Sequence, residues 1–192
     1  MRRVMDLLVG THGYPADAAA GLVGNLVAES GVQPDRIEGS RPASPLRAAD
    51  ATGRVRDFSP EEVRDRDRAA GTGPRLPGVG IAQWTSPERR AGLFRHEVAG
   101  RVPGAAVLSD LDAQVDYLVT ELRTAYRGLD ALLRDPATTV EDAADAVLFR
   151  FEVPAAVLDG GRLRSRDDPA VQPVLARRRQ LARDVRELHD RG

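Results

Sequence analysis

Two short segments hold the residues with the most chemical potential. The first, Gly21-Leu22-Val23-Gly24-Asn25-Leu26-Val27-Ala28-Glu29-Ser30-Gly31, sets one carboxylate at the end of an otherwise apolar helix. The helix dipole disfavours an anion there, and apolar neighbours favour the protonated form. A carboxyl that keeps its proton near neutral pH can hand it to a leaving oxygen. An exposed helix-end carboxylate with no chemical task is the alternative that this segment alone leaves open. The second segment is Gly78-Val79-Gly80-Ile81-Ala82-Gln83-Trp84-Thr85. Its glycines let backbone approach closely, and Gln83 brings both a donor and an acceptor. Trp84, the single tryptophan, offers a flat face suited to a sugar ring, or else a buried anchor for the turn.

The elements that must position these residues are mostly helical. Residues 3–9 predict a first helix ended by Gly10. Tyr14-Pro15-Ala16-Asp17 starts the helix that carries Glu29, with Pro suited to a first turn and Asp17 to the dipole. Ala18, Ala19, Leu22, Val23, Leu26 and Val27 give it a wide apolar surface, as in a central, buried helix. Gly31 is its stop. Ser59-Pro60-Glu61-Glu62-Val63 reads as a short helix with a cap and Glu at the third position. Ser86-Pro87-Glu88 starts another, closed by Gly100, and Ser109-Asp110-Leu111-Asp112 the next. In that helix Leu111, Val115, Leu118, Val119 and Leu122 keep helical spacing. Thr139-Val140-Glu141-Asp142 opens a further one, ended by Pro154, and an amphipathic helix runs from about Pro173 to His189. A strand run is expected only around residues 76–85. Residues 32–80 are rich in Pro, Gly, Arg and Asp, and the alternating run Arg64-Asp65-Arg66-Asp67-Arg68 reads as a solvated surface. The class is mainly α.

Composition narrows the function. A chain of 192 residues with 42% hydrophobic content supports a folded domain. No apolar run is long enough to span a bilayer, and the stretch from Met1 to Gly10, broken by Asp6, is shorter than expected of a secretory signal. There is no cysteine, hence no disulfide or thiolate metal site. His12, His96 and His189 lack ligand spacing, so no metal or cofactor is expected. The net charge of −1 gives no global field for nucleic acid. All 28 basic residues are Arg, which reads as coding bias rather than phosphate recognition.

Together the two segments resemble the phage tail lysozyme family. Leu111-Asp112-Ala113-Gln114-Val115-Asp116-Tyr117-Leu118 is similar to that family's later helix, Phe151-Glu152-Val153-Pro154 to its aromatic-Glu-x-Pro element, and the Arg177-Arg178-Arg179 helix to its close. The pattern is also similar to lytic transglycosylases and goose-type lysozymes. The resemblance implies a lysozyme-like fold with a small β or irregular lobe beside the active-site cleft. It covers one domain over residues 1–192, with a longer irregular insertion at about 40–77. It implies Glu29 as the catalytic acid of a peptidoglycan-cleaving glycosidase acting between N-acetylmuramic acid and N-acetylglucosamine. Ser30, Gln83, Trp84 and Tyr117 are then the candidate substrate contacts.

An inverting hydrolase needs a second carboxylate roughly 6.5–9.5 Å away, and a retaining one about 5–5.5 Å away. A lytic transglycosylase needs none. Asp35, Glu38, Asp50 and Asp57 lie in the intervening segment, and Glu152 lies in a resembling motif, with pairing to Arg150 or Arg179 as its alternative role. Glu38, Asp50 and Glu152 are the candidates carried forward. The implied partners are peptidoglycan glycan strands and the proteins of a phage tail or injection system. The expected place of action is the bacterial wall, reached by way of a phage particle, an injection system or lysis. A non-catalytic wall-binding or assembly module is the reading from another class.

Overall fold

A computed structural model of the chain describes residues 1–66 and 76–191. It is mainly helical, as the apolar periodicity predicts. Eight α-helices are present among the described residues: α1 (Arg2–Asp6), α2 (Ala16–Ser30), α3 (Pro60–Asp65), α4 (Pro87–Arg95), α5 (Leu111–Ala125), α6 (Arg127–Arg134), α7 (Val140–Val147) and α8 (Gln172–Asp190). Two antiparallel hairpins accompany them. β1 (Arg47–Ala49) pairs with β2 (Val55–Asp57), and β3 (Leu158–Asp159) with β4 (Arg162–Leu163). The chain divides into two compact units, Glu29–Leu118 and the combination of Met1–Ala28 with Val119–Gly192.

The unit built from both chain ends has α7 packed on α8 and on α6. The apolar face of α2 is buried there through Ala18, Ala19, Leu22, Val23 and Leu26. Gly24 lets α8 approach closely, since a Cβ at that position would lie 2.6 Å from the backbone nitrogen of Ala182. Buried Asn25 donates through Nδ2 to the carbonyls of Gly21 and Ala144, and Arg178 donates to the Asn25 carbonyl. These bonds tie α2 to α7 and α8 through polar groups inside the core. Buried Asp145 takes both arms of the Arg179 fork, at 2.8 and 2.6 Å.

The unit Glu29–Leu118 holds the hairpin β1–β2, α3, α4 and the Gly78–Thr85 turn. α3 begins with a capping box. The Ser59 hydroxyl accepts from the Glu62 N–H, and the Glu62 carboxylate accepts from the Ser59 N–H. Two arginines act as internal clamps. Arg66 donates to the carbonyls of Glu38 and Ala49 and stacks 4.8 Å from the Phe58 ring centre. Arg90, 1% exposed, donates to the carbonyls of Pro77 and Val63. The fork of the guanidinium lets one side chain reach two backbone segments.

Several local expectations change. The helix at the N-terminus does not stop at Gly10, because a π turn over Leu7–Thr11 carries the chain through it. Residues 76–85 form no strand, only the isolated bridges Ile37↔Val79 and Val79↔Trp84. The true strands are two or three residues long, too short for a period of two to register. Arg66 is buried rather than solvated. Asp67 and Arg68 of the same run lie outside the described residues.

Candidate active site

Glu29 occupies the last turn of α2 and is half-buried. The helix ends because Gly31 and Val32 both take left-handed backbone, with φ of 68° and 63°. That conformation is costly for a β-branched residue. It is supported by a hydrogen bond of 3.0 Å from the Val32 N–H to the Ser30 hydroxyl. The same hydroxyl donates to the Ile81 carbonyl at 2.7 Å. Ser30 is 3% exposed, so it works inside the protein, stitching the residue after Glu29 to the Gly78–Thr85 turn.

The peptide N–H of Ile81 is held as well. It donates to Gln114 Oε1 at 2.9 Å, while Gln114 Nε2 donates to the carbonyls of Pro34 and Val107. Gln114 is fully buried. Gly80 sits against it at a φ of +76°, and a Cβ there would lie 2.6 Å from Gln114 Oε1. Glycine is therefore required on two counts, conformation and space. The sequence pointed to Gln114 only as part of a resembling helix. An amide in the apolar stripe between Leu111 and Leu118 was nonetheless a signal, because a buried amide needs internal partners.

Gln83 also has positive φ, at 45°. Its side-chain nitrogen donates to the carbonyls of Arg36 and Gly80, at 3.0 and 2.9 Å. Two carbonyl partners fix which end of the amide is nitrogen. The half-buried Gln83 thus holds the turn with its donor end and keeps Oε1 as the end able to accept from a ligand.

Trp84 is fully buried. It packs against Tyr117 with ring centres 5.1 Å apart and planes tilted by 59°, a favourable aromatic geometry. A sugar ring has no face of Trp84 to stack on, so the indole anchors the turn. Tyr117, 8% exposed, donates its hydroxyl to the Arg89 carbonyl at 2.6 Å and packs 5.4 Å from the His96 ring. Its role is likewise internal. His96 pairs with Asp116 at 2.7 Å.

The carboxylates sort by what they already do. Glu38 Oε2 accepts from the Gly78 N–H at 2.7 Å, closing the turn on its outer side. Asp50 Oδ1 accepts from the Thr52 hydroxyl and from the N–H groups of Thr52 and Arg54. The Thr52 hydroxyl, together with these amides and Arg56, holds Asp50 below the usual carboxylate range. Asp57 pairs with Arg47. Asp35 is half-buried, and no hydrogen bond or ion pair occupies its carboxylate among the described residues. Its backbone is held on both sides, at the Pro34 carbonyl by Gln114 and at the Arg36 carbonyl by Gln83 and the Gly80 N–H. Glu152 stands in the other compact unit, in the π turn Leu148–Glu152. Arg179, one partner expected for it, instead forks onto Asp145.

Among the described residues, no group of three or more His, Asp and Glu could hold a metal ion, and no helix is long and apolar enough to cross a membrane. A family model described as phage tail lysozyme matches residues 1–182. No curated protein and no solved structure matches the chain.

Proposed function

We infer the reaction from one premise: the chain belongs to the phage tail lysozyme family. Its mainly helical architecture with small antiparallel hairpins fits a lysozyme-like fold. The family points to peptidoglycan as substrate, to a lytic activity and to delivery by a phage particle. Our finer reading is cleavage of the β-1,4 bond between N-acetylmuramic acid and N-acetylglucosamine, with Glu29 as general acid. Glu29 gives its proton to the glycosidic oxygen as the bond from that oxygen to the muramic acid C1 breaks. Positive charge develops at C1 and the ring oxygen, and the N-acetylglucosamine leaves with a free hydroxyl. Water then adds at C1 and gives its proton to a second carboxylate, so the muramic acid gains a reducing end.

The observation that carries this reading is the bond from Ser30 to Ile81. It fastens the residue beside Glu29 to the turn that bears Gln83, within one compact unit. Gln83 Oε1 supplies an acceptor for a sugar hydroxyl or acetamido N–H. Asp35, an intervening carboxylate with no hydrogen bond or ion pair among the described residues, is the group we assign to orienting the water.

A second reading has an observation of its own. Glu38, Asp50 and Asp57 are spent on backbone or arginine. A single-Glu mechanism fits that economy. In a transglycosylase the muramic acid C6 hydroxyl attacks C1, and Glu29, now a carboxylate, takes its proton.

Glu29→Gln tests the shared step. It should lower the clearing of purified walls at least about 100-fold, the low end for general acid catalysis, with the melting temperature unchanged. Full retained activity would remove Glu29 from the mechanism. Mass spectrometry of the products separates the two readings, since reducing ends mark hydrolysis and 1,6-anhydro ends mark transglycosylation.

A further inference from the structure

Within the unit Glu29–Leu118, two acceptor side chains meet at Gly78. Glu38 holds that residue twice. The Glu38 N–H donates to the Gly78 carbonyl at 2.8 Å, and the Gly78 N–H donates to Glu38 Oε2 at 2.7 Å. Gln83 Oε1 approaches the same residue, since a Cβ on Gly78 would lie 3.0 Å from it. These contacts through one residue put the Glu38 carboxylate and Gln83 Oε1 within about 8 Å of each other. Backbone conformation does not demand glycine here, as the φ of Gly78 is not positive. The absent side chain instead leaves Gln83 Oε1 uncovered. Glu38 is exposed and Gln83 half-buried. Oε2 of Glu38 is spent on the turn, but its Oε1 and the Oε1 of Gln83 enter no hydrogen bond or ion pair among the described residues.

We propose that Glu38 is a specificity-determining residue, which together with Gln83 selects N-acetylglucosamine over N-acetylmuramic acid at Gly78. The inference rests on the glycan-cleaving reading above. Both available oxygens can only accept, so the ligand must present two neighbouring donors. N-acetylglucosamine has such a pair, the acetamido N–H at C2 and the hydroxyl at C3. Gln83 Oε1 takes the N–H, and Glu38 Oε1 takes the hydroxyl in a charge-assisted bond. In N-acetylmuramic acid the C3 oxygen is a lactyl ether. It has no proton to give, and it turns its own lone pairs toward the carboxylate. The carboxylate is thus attractive to one sugar and repulsive to the other, the two halves of a specificity device. Ser30 ties the residue after Glu29 to Ile81 of the same turn. A sugar fixed at Gly78 therefore sets the register of the alternating polymer, and with it which of the two β-1,4 linkages meets Glu29.

The test reads binding rather than cleavage. Titration calorimetry compares the N-acetylglucosamine trimer with the same trimer methylated at its C3 hydroxyls. Wild-type protein should bind the free trimer about tenfold more tightly, the effect of one charge-assisted hydrogen bond. Glu38→Gln keeps an oxygen for the Gly78 N–H and turns the outward end of the side chain into a donor. That donor serves a hydroxyl and an ether alike, so the preference should vanish while the melting temperature holds. Asp167→Asn, which removes an exposed carboxylate in the other unit, should keep the tenfold preference. Equal binding of the two trimers by wild type, binding of neither, or a preference that survives in Glu38→Gln overturns the assignment. Each of these leaves the glycosidase reading in place as long as wild type clears purified walls. Failure to clear walls removes the glycosidase reading instead, and the register at Glu29 falls with it.

Discussion

Ser30 and Gln114 converge on the two sides of one residue, Ile81, whose carbonyl takes the hydroxyl and whose N–H gives to the amide. Neither side chain has surface to spare for a ligand. Both act by positioning, setting the turn against the end of α2. Removing the Ser30 hydroxyl leaves a buried carbonyl and the strained Val32 N–H unmatched, a cost of about 1–3 kcal/mol. Gln114→Ala strands the Ile81 N–H and the Pro34 carbonyl, while the Val107 carbonyl keeps the Asp110 N–H, and should cost about 2 kcal/mol or more. As both hold the same residue, the double variant should fall short of the sum by at least about 0.5 kcal/mol. Denaturant unfolding of the two single variants and the double variant measures this. Strict additivity would mean that Ile81 is not their common link.

At the scale of elements, the turn from Gly78 to Thr85 depends on backbone that only certain residues tolerate. Gly80→Ala meets both a positive φ and the Gln114 oxygen 2.6 Å away. It should destabilise by about 2 kcal/mol or more and lower lytic activity beyond what partial unfolding explains. A variant that matches wild type in melting temperature and in activity would show that the turn relaxes freely. The helices themselves were legible in the sequence, because apolar spacing and capping residues are local signals. Ser59 and Glu62 formed the capping box that their spacing announced. The hairpins were not legible, because ladders of two or three residues carry too little pattern, and β1–β2 is held by partners such as Arg66.

Across the whole molecule, exposed and half-buried carboxylates take part in local networks in both units. Asp50 is held below its usual range first by the Thr52 hydroxyl, Glu62 first by the Ser59 N–H, and Asp168 first by the Ala170 N–H. A carboxylate with a depressed folded value adds stability above its unfolded value, about 3.9 for Asp and 4.3 for Glu. That contribution is lost as pH falls through the folded value. The urea midpoint should therefore be steady from pH 7 to about pH 5 and decline below about pH 4. A midpoint that rises on acidification would contradict this. The arginine-only composition also acquires a structural use. Arg66, Arg90 and Arg178 are buried and staple backbone carbonyls, so some of these cations are part of the interior, whatever the origin of the bias.

By itself the sequence determined the helical class, the buried face of α2, the place of Glu29 in its last turn, and the two segments that identify the family. Each of these rests on residue type and short-range spacing. Tertiary structure alone decided what the polar and aromatic side chains near Glu29 do. Ser30 meets a partner 51 residues away, Gln114 reaches one 80 residues away, and Glu38 one 40 residues away. Whether a hydroxyl, an amide or an indole faces a ligand or the chain's own backbone depends on which distant segment folds against it. No local pattern carries that information. Ser30, Trp84 and Tyr117, which looked from the sequence like contacts for a sugar, are buried and meet partners within the protein instead.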